Sequence, residues 1–375
     1  MSTTVHVFGA AGFAGAQLAA LVDGHPGFAL GTITARGDAG KRLVDVAPEY
    51  RVERRLETPD IQAVASGDLV AVCYPHAEAA LVVAELIDRG ARVVDVSADH
   101  RLHDAALYPA VYGYMHPRPD LLAEAVYGLP ESHRDAIRTA RLVANPGCFP
   151  EASILGLLPL AGGVADVVID AKSGVSGAGR TPTPANIYSA VTDSVRAYKV
   201  YTHRHWPEIE QELGVEVTFT PHLVPVDRGL LATCYARLTE GAPHPDDLRA
   251  AYQAFYADHP FVEVVESPPG MRAVQRTNFA QVCPVADPRG ERVTVFSVID
   301  NLGKGAAGPG KGADGNAEYN GVCHRCGIWG HRRQDCRRLD TEMGKKGGGG
   351  KGGKGGKGGK GGKGGIKGGK GPILE

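Results

Sequence analysis

Long apolar runs are missing from this chain of 375 residues. No stretch reaches the roughly 18–20 consecutive apolar residues of a membrane-spanning helix, which predicts no membrane partner. Neither a secretory signal nor an Arg/Ser-rich organelle presequence precedes the first strand-like segment. The chain has 7 cysteines, and because this number is odd, a complete disulfide framework is not indicated. We therefore expect a cytoplasmic protein with free thiols in a reducing compartment.

The net charge of −1 hides an uneven distribution along the chain. Residues 304–375 carry 16 lysines and arginines against 6 aspartates and glutamates, whereas residues 1–303 carry 25 against 36. Apolar residues make up 43% of the sequence, which is enough for hydrophobic cores. A mildly acidic body with a strongly basic tail predicts that the tail has a separate role or a separate origin.

A glycine-rich turn follows the first predicted strand. That strand, at 5–8, runs into Gly9-x-x-Gly12-x-x-Gly15, and a helical pattern follows at 14–22. In such a unit the helix N-terminus can bind a pyrophosphate, although a tight turn alone also explains glycines at this spacing. The next segments alternate between strand and helix, which predicts a parallel sheet in a Rossmann-like domain. Strands are predicted at 29–34, 69–73 and 92–96, with a helix at 78–89.

Two arginines follow predicted strands, at the edge where ligands of parallel sheets bind. The second strand ends in Thr34-Ala35-Arg36, where NAD-binding proteins usually carry an acidic residue. An arginine beside a hydroxyl suits the 2′-phosphate of NADP, and the alternative is a solvated surface arginine. Arg101, in the segment 97–102, is well shaped for phosphate or carboxylate, and the alternative is a plain loop arginine.

Cys148 lies in the segment 144-ANPGCFPEASILG-156. The Pro146-Gly147 pair predicts a turn, and Phe149 with the proline and glutamate after it predicts a first helical turn. At a helix N-terminus, unpaired N–H groups and the positive end of the dipole stabilise a thiolate. The residues leave two interpretations open: a nucleophilic thiol, or a small buried hydrophobe like most intracellular cysteines.

From about residue 166 the pattern changes to half-apolar strands. A strand at 166–171 enters a loop of small residues at 172–180, where the backbone can approach a ligand closely. Alternating segments farther along predict a mostly antiparallel sheet with one covered face. These segments are 215–219, 230–236 and 293–298, with an amphipathic helix at 246–256. His203-Arg204-His205 is an unusual cluster before another helix start, and a surface pair of histidines is the plain alternative.

Taken in order, these segments resemble the N-acetyl-gamma-glutamyl-phosphate reductase family, relatives of aspartate-semialdehyde dehydrogenase. As an ordered set they are specific, and they cover residues 5–308, about four-fifths of the chain. The matching segments are 9-GAAGFAG-15, 74-YPH-76, 97-SADHR-101, 127-YGLPE-131, 145-NPGCFP-150, 173-SGVSGAGR-180, 196-RAYKV-200, 203-HRHWPEI-209, 225-PVDRG-229 and 299-IDNLGKGAAG-308.

The resemblance implies NADPH-dependent reduction of N-acetyl-L-glutamyl 5-phosphate to the semialdehyde, in arginine biosynthesis. Because an acyl phosphate has a good leaving group, attack by a thiolate gives a thioester that hydride converts to the aldehyde. Cys148 is the implied nucleophile, and His205, rather than His203, is favoured as the acid/base. The implied substrate-binding residues are Arg101, Asn145, Ser97 and Arg204. The implied NADP(H)-binding residues are Gly9, Gly12, Phe13, Gly15, Thr34, Arg36, Pro75, Ser176, Gly177 and Asn301.

The chain departs from the family pattern in three places. Glu151 stands where the family usually has threonine, and an extra acid there is expected to raise the pKa of the Cys148 thiol. His100 stands where the family usually has phenylalanine. The match stops near Gly308, where the family normally continues into a closing helix that packs on the nucleotide domain.

A metal-binding motif follows that point. The spacing Cys323-x2-Cys326-x4-His331-x4-Cys336 resembles a retroviral-type zinc knuckle, in which three thiolates and one imidazole complete a tetrahedral Zn²⁺ site. Its tryptophan could stack on an unpaired base and its arginines could meet phosphates, which favours single-stranded nucleic acid as a partner. A small structural or protein-binding knuckle is the alternative. Gly-Gly-Lys repeats at 347–370 have almost no apolar residues to bury and are expected to be disordered.

The predicted fold class is α/β, with a Rossmann-like parallel-sheet domain and an α+β domain that has a mostly antiparallel sheet. A homo-oligomer, dimer or tetramer, is expected to form through the second domain. The alternative function is a nucleic-acid-binding zinc-knuckle protein with a vestigial reductase domain, and the intact Cys148, histidine cluster and glycine turn argue against such decay. The predicted units are 1–147 for NADP, 148–308 for catalysis and dimerisation, 309–320 as a linker, 321–338 as the zinc knuckle and 339–375 as a Gly/Lys-rich tail.

Overall fold

The computed structural model of this protein describes residues 3–308. Among these residues, no helix combines the length and apolar character that crossing a bilayer requires. Several predicted features lie outside the described residues, namely the linker 309–320, the zinc ligands Cys323, Cys326, His331 and Cys336, and the tail 339–375.

The first sheet has 7 strands. They are β1 (Thr3–Phe8), β2 (Phe28–Thr34), β3 (Leu56–Glu57), β4 (Leu69–Val72), β5 (Arg92–Asp95), β6 (Val126–Tyr127) and β7 (Leu142–Ala144). The order is β3-β2-β1-β4-β5-β7-β6, and every neighbouring pair is parallel. The central strands β4 and β5 are almost fully buried, and β4 is entirely apolar, as expected where both faces of a parallel sheet are covered. The predicted Rossmann-like sheet is therefore confirmed.

Helices lie between these strands. They are α1 (Phe13–Asp23), α2 (Leu43–Val46), α3 (Ala80–Asp88), α4 (Tyr108–Tyr112), α5 (Pro119–Glu124) and α6 (Pro130–Thr139). Gly12 has extended backbone and is the N-cap residue of α1, where no side chain caps the helix. The helix predicted at 14–22 is thus present and begins directly after the glycine turn.

The second sheet also has 7 strands and is mixed. They are β8 (Val164–Gly174), β9 (Arg196–Ala197), β10 (Val217–Val224), β11 (Leu230–Leu238), β12 (Val262–Val264), β13 (Ala280–Ala286) and β14 (Arg292–Ile299). Their order is β12-β13-β14-β11-β8-β10-β9, in which the pairs β12–β13 and β8–β10 are parallel and the other pairs antiparallel. The sequence predicted β8, β10, β11 and β14 but not β9, β12 and β13. It also did not predict the two parallel pairs, because a side-chain period of 2 is the same in both directions.

Helix α7 (Cys148–Leu157) links the two halves of the molecule. It starts four residues after β7 ends, and residues 149–157 are all buried. A helix that is apolar on every side belongs inside a protein, and α7 packs on β11, β13 and β14. Its N-terminus therefore points out of the core at the carboxyl edge of the first sheet. The remaining helices are α8 (Tyr188–Val191), α9 (Trp206–Leu213) and α10 (Leu248–Phe255).

The last described residues return from the second sheet to the first. After β14, a π-helical turn at Gly303–Ala307 contacts both α1 and α7, and Ala307 is fully buried. Arg228 reinforces this junction, since its Nη2 donates to Asp300 Oδ1 at 2.9 Å and also to the side chain of Gln17 in α1. The two halves thus share one boundary, where the functional site lies.

Glycine at position 15 is a steric requirement of this fold. A Cβ there would overlap the carbonyl oxygen of Gly9, whereas a Cβ on Gly24, at the other end of α1, would lie 3.6 Å from Ala20 O. We expect Gly15→Ala to lower the free energy of unfolding by about 1–3 kcal/mol, and Gly24→Ala to change it by no more than about 0.5 kcal/mol. Urea denaturation measures both values, and equal effects would contradict the close approach at Gly15.

Candidate active site

A cleft with a volume of about 300 Å³ lies where the starts of α1 and α7 meet the segment 301–306. The predicted site residues that line it are Gly12, Phe13, Gly15, Arg101, Cys148, Ser176, Gly177, Arg204, His205 and Asn301. Other predicted site residues are not part of its wall, namely Gly9, Thr34, Arg36, Pro75, Ser97, Asn145 and His203. The predicted nucleophile and the glycine turn therefore belong to one site.

The glycine turn forms a cradle at the start of α1. Gly9 has a φ of +87°, and a Cβ on it would lie 2.7 Å from Cys73 O. No side chain caps the helix at Gly12, so the first N–H groups of α1 remain open to a ligand. Such groups at a helix N-terminus bind phosphate. Thr34 supports the turn from behind, with its buried Oγ1 3.4 Å from the Gly9 N–H.

Arg36 lies beside the cradle, after the end of β2. Its guanidinium stands 4.7 Å from the centre of the Tyr74 ring, and it forms an ion pair with Glu78. Both charged side chains are largely exposed, so Glu78 holds Arg36 weakly. Tyr74 lines the cleft, whereas Pro75, the next residue, is exposed. Arg36 is thus available to an anionic ligand at the rim.

Cys148 is the first residue of α7 and is half-buried. Burial raises the pKa of its thiol to about 11, although Arg101, the Phe149 N–H and Arg204 act to lower it. The helix start therefore does not by itself hold a thiolate in this structure, contrary to the simplest expectation from the sequence. Because the sulfur is protonated in this state, a neighbouring base has to take its proton before it can attack.

His205 is the neighbouring base. A Cβ on Gly147 would lie 2.5 Å from His205 Nε2, so the imidazole packs against the residue that precedes Cys148. Burial, followed by the neighbouring His203 ring and the charge of Arg101, holds the pKa of His205 well below its usual value. The ring is therefore neutral. Arg101 Nη1 lies 3.3 Å from Nε2 and can only donate, so Nε2 is the unprotonated nitrogen that accepts this hydrogen bond.

His203 has a different environment from His205. Its ring packs edge-on against Phe149 and Phe219, and its Nδ1 accepts a hydrogen bond of 3.1 Å from the His205 backbone N–H. Burial, then the charge of Arg204, lowers the pKa of His203 to about 3. His203 therefore holds the backbone of His205 in place and does not reach the cleft.

A buried network anchors Arg101. Its Nε donates to Asn145 O at 2.8 Å, and its Nη1 lies 3.4 Å from Glu208 Oε2. Glu208 Oε1 accepts hydrogen bonds of 2.8 Å from the Gly147 N–H and from the Tyr127 hydroxyl. Sequence reasoning missed Glu208 and Tyr127 as site residues, although both lie in the motifs 203-HRHWPEI-209 and 127-YGLPE-131. Glu208 and Tyr127 fix the guanidinium group of Arg101 beside Cys148.

Of the two predicted amide residues, Asn301 lines the cleft and Asn145 lies outside its wall. Asn145 Nδ2 donates to Ala306 O at 2.9 Å, while its buried Oδ1 lacks a hydrogen-bond partner. Asn301 Nδ2 donates to Ser176 Oγ at 3.0 Å, and its Oδ1 accepts from the Gly229 N–H at 2.8 Å. Ser97 Oγ instead accepts from the Asp99 N–H at 3.0 Å. Asn301 is thus part of the cleft wall, Asn145 holds the lining residue Ala306 from outside it, and Ser97 closes a turn.

The two unusual residues near the site have partners other than the thiol. Glu151 is fully buried, and its Oε1 lies 3.2 Å from Lys304 Nζ. The carboxylate that raises the Cys148 pKa is Glu208, so the effect expected of Glu151 is not observed. His100 Nδ1 lies 2.7 Å from Asp95 Oδ2, inside the first half.

Two family models match the chain. The model for the semialdehyde dehydrogenase NAD binding domain matches residues 4–140, and that for the semialdehyde dehydrogenase dimerisation domain matches residues 148–301. Solved structures share the fold. Aspartate semialdehyde dehydrogenase II from Vibrio cholerae gives a TM-score of 0.64 at 17% identity and covers 84% of this chain and 97% of its own. Aspartate semialdehyde dehydrogenase with NADP from Candida albicans gives a TM-score of 0.63 at 16% identity and covers 84% of this chain and 98% of its own.

Curated relatives resemble the chain more strongly. The N-acetyl-gamma-glutamyl-phosphate reductase of Dehalococcoides mccartyi strain BAV1 is 47% identical over 308 residues, which are 79% of this chain and 89% of the relative. The protein of the same name from Syntrophobacter fumaroxidans is 46% identical over 318 residues, 81% of this chain and 92% of the relative. These matches extend over both halves of the cleft, and the chain belongs to the N-acetyl-gamma-glutamyl-phosphate reductase family of oxidoreductases.

Proposed function

We propose that this protein reduces N-acetyl-L-glutamyl 5-phosphate to N-acetyl-L-glutamate 5-semialdehyde with NADPH, in arginine biosynthesis, through a thioacyl intermediate on Cys148. The observation that carries the proposal is the placement of Cys148 in one cleft with the glycine cradle and a neutral histidine. The names of the relatives support the choice of substrate.

Proton transfer from Cys148 begins the proposed reaction. His205 Nε2 takes the thiol proton, because the ring is neutral and lies against Gly147. The thiolate attacks the acyl carbon, and phosphate leaves toward the guanidinium groups of Arg101 and Arg204, both of which line the cleft. Open N–H groups at the start of α7 can donate to the oxyanion that forms on the way. The product of this step is a thioester on Cys148.

The residues of the cradle fit NADP(H). Side chains are excluded at Gly9 and Gly15, the N-terminus of α1 is open, and Arg36 lies at the rim where a 2′-phosphate would bind. When bound, the nicotinamide supplies the hydride that reduces the thioester. The carbon–sulfur bond then breaks, the aldehyde leaves, and His205 returns the proton to the Cys148 sulfur.

The proposed function is tested by assaying the purified protein for NADP- and phosphate-dependent oxidation of N-acetylglutamate semialdehyde. We expect Cys148→Ser to lose nearly all turnover and to keep NADP binding, because the cradle is unchanged. Matched Ser variants of Cys73, Cys234 and Cys283 should remain active, since these thiols begin no helix at the cleft. No turnover by the unaltered protein, or inactivation by alkylation that leaves Cys148 unmodified, would contradict the proposal.

The two histidines provide an internal comparison. His205→Asn removes the proton acceptor and should lower kcat by about 10²–10⁴-fold. His203→Asn keeps an oxygen that can accept from the His205 N–H, so its loss should be much smaller. Steady-state kinetics on both variants measures the difference, and equal small losses would remove the role of general base from His205.

We further infer that copies of the chain associate through the open face of the second sheet. Val168, Tyr235, Thr294 and Val285 are successive cross-strand partners in one row. Val168, Tyr235 and Val285 are 39–41% exposed in the single chain. An exposed apolar row of this kind marks an association surface, and the dimerisation-domain model matches this region. A dimer, or a tetramer built from dimers, follows from this placement.

A second candidate function belongs to the C-terminal motif. The donor set Cys323, Cys326, His331 and Cys336 suits tetrahedral Zn²⁺ and poorly suits the oxygen-preferring cations. We propose that this motif binds zinc and, through Trp329 and the basic residues around it, single-stranded nucleic acid. Its four ligands are close in sequence, so metal binding should fold the motif itself.

Chelation separates the two functions. Removal of zinc should abolish binding of the full chain to single-stranded RNA or DNA, because the motif loses its fold. The melting temperature of the reductase should stay unchanged, as should its turnover. Fluorescence anisotropy and thermal melts measure these quantities, and a large drop in melting temperature would show that the motif is part of the reductase fold.

A further inference from the structure

A buried cluster of three titratable side chains lies beneath the cleft. Lys304 is 1% exposed, and its Nζ lies 2.8 Å from Glu131 Oε1 and 3.2 Å from Glu151 Oε1. Glu131 is 7% exposed and Glu151 is fully buried. Taking charges out of water costs free energy that only close partners offset, so the three groups depend on one another. The mechanism proposed above uses none of them.

The cluster joins three segments that are distant in sequence. Glu131 belongs to the first turn of α6, Glu151 to the first turn of α7, and Lys304 to the π-helical turn Gly303–Ala307. Glu151 comes three residues after Cys148, and such residues share a face of a helix. The ammonium group therefore ties the turn directly to the helix that presents the nucleophile.

Two carboxyl groups share one ammonium group, and their remaining oxygens lack hydrogen-bond partners. Burial raises the pKa of Glu151 to about 8, and the charge of Lys304 acts against that rise. Among the described residues, no hydrogen-bond donor other than Lys304 therefore holds either carboxyl group. Removal of the ammonium group would leave the turn without its ionic link to α6 and α7.

The Gly303–Ala307 turn, which carries Lys304, packs against Cys148. A Cβ on Gly305 would lie 2.8 Å from Cys148 Cβ and 3.2 Å from its Cα. The next residue, Ala306, accepts the hydrogen bond from Asn145 Nδ2. Asn301, which lines the opposite side of the cleft, lies three residues before Lys304. A shift of this turn would thus move the cover of Cys148 and release the Asn145 side chain.

We propose that Lys304 is a positioning residue: its close contacts with the carboxyl groups of Glu131 and Glu151 hold the Gly303–Ala307 turn against Cys148 and so set the geometry in which the thiol reacts. Because Lys304 does not line the cleft, it acts through Gly305 and Ala306. A misplacement of about 1 Å at a reacting centre can reduce a rate about 10²-fold. The turnover part of this inference rests on the proposed function, whereas the effect on thiol accessibility does not.

The test compares Lys304→Met with the triple variant Lys304→Met/Glu131→Gln/Glu151→Gln. The single variant leaves buried carboxyl groups uncompensated and should melt at a lower temperature. The triple variant replaces all three titratable groups by groups of similar size that carry no charge at any pH, so its melting temperature should return close to that of the unaltered protein. Both should show kcat lowered about 10- to 100-fold, with the KM for NADPH changed less than about threefold.

Alkylation of Cys148 by iodoacetamide, followed by mass spectrometry of its peptide, gives a readout that needs no turnover. Loosening of Gly305 exposes the sulfur and reduces its desolvation, so alkylation should be about three- to tenfold faster in both variants. Faster alkylation combined with slower turnover in the stable triple variant is the signature of a displaced turn. A purely structural role would instead restore both rates together with the melting temperature, and would overturn the inference.

Arg118→Met is the matched control. Arg118 also pairs with two carboxylates, Asp88 at 2.9 Å and Asp120 at 2.8 Å, but it lies outside the cleft. The Arg118→Met variant should have the same Cys148 alkylation rate and the same kcat as the unaltered protein. A change as large as the one in Lys304→Met would also overturn the inference. If the unaltered protein shows no turnover, the proposed function fails, while the alkylation comparison still decides the role of Lys304.

Discussion

The close packing around the first turn of α7 leaves no room for a side chain at Gly147 or Gly305. A Cβ at Gly147 would overlap the His205 ring, and one at Gly305 would overlap Cys148 itself. These two contacts place the His205 ring on one side of Cys148 and the Gly303–Ala307 turn on the other. The site therefore depends on the absence of two side chains as much as on the presence of the thiol, the imidazole and the guanidinium groups.

Burial also determines the charge states in the site. It raises the pKa of Cys148 and lowers that of His205, so the ligand-free pair is a neutral thiol beside a neutral imidazole. Arg101 stays charged, because Glu208 and main-chain carbonyl groups compensate its guanidinium. A phosphate group in the cleft would thus meet a fixed positive charge next to a thiol that is neutral in this structure.

Local sequence signals predicted much of this arrangement. The spacing of Gly9, Gly12 and Gly15 after an apolar strand placed the turn correctly, and Pro146-Gly147 placed Cys148 at a helix start. These signals work because strand, turn and helix preferences act over a few residues. The same reasoning failed for Glu151, whose side chain turns to Lys304, a residue more than 150 positions away in the chain. The outcome for the 309–375 segment lies outside the described residues.

By itself, the sequence predicted the main strands and helices of both halves in their order, the parallel character of the first sheet, and Cys148, Arg101 and the glycine turn as candidates for one site. Only the tertiary structure decided that His205 rather than His203 faces the cleft, that Glu208 and Tyr127 support Arg101, and that β8 and β10 run parallel. The physical reason is distance along the chain. Hydrophobic periodicity and turn chemistry are local, whereas the direction of a buried side chain depends on partners that only folding brings together.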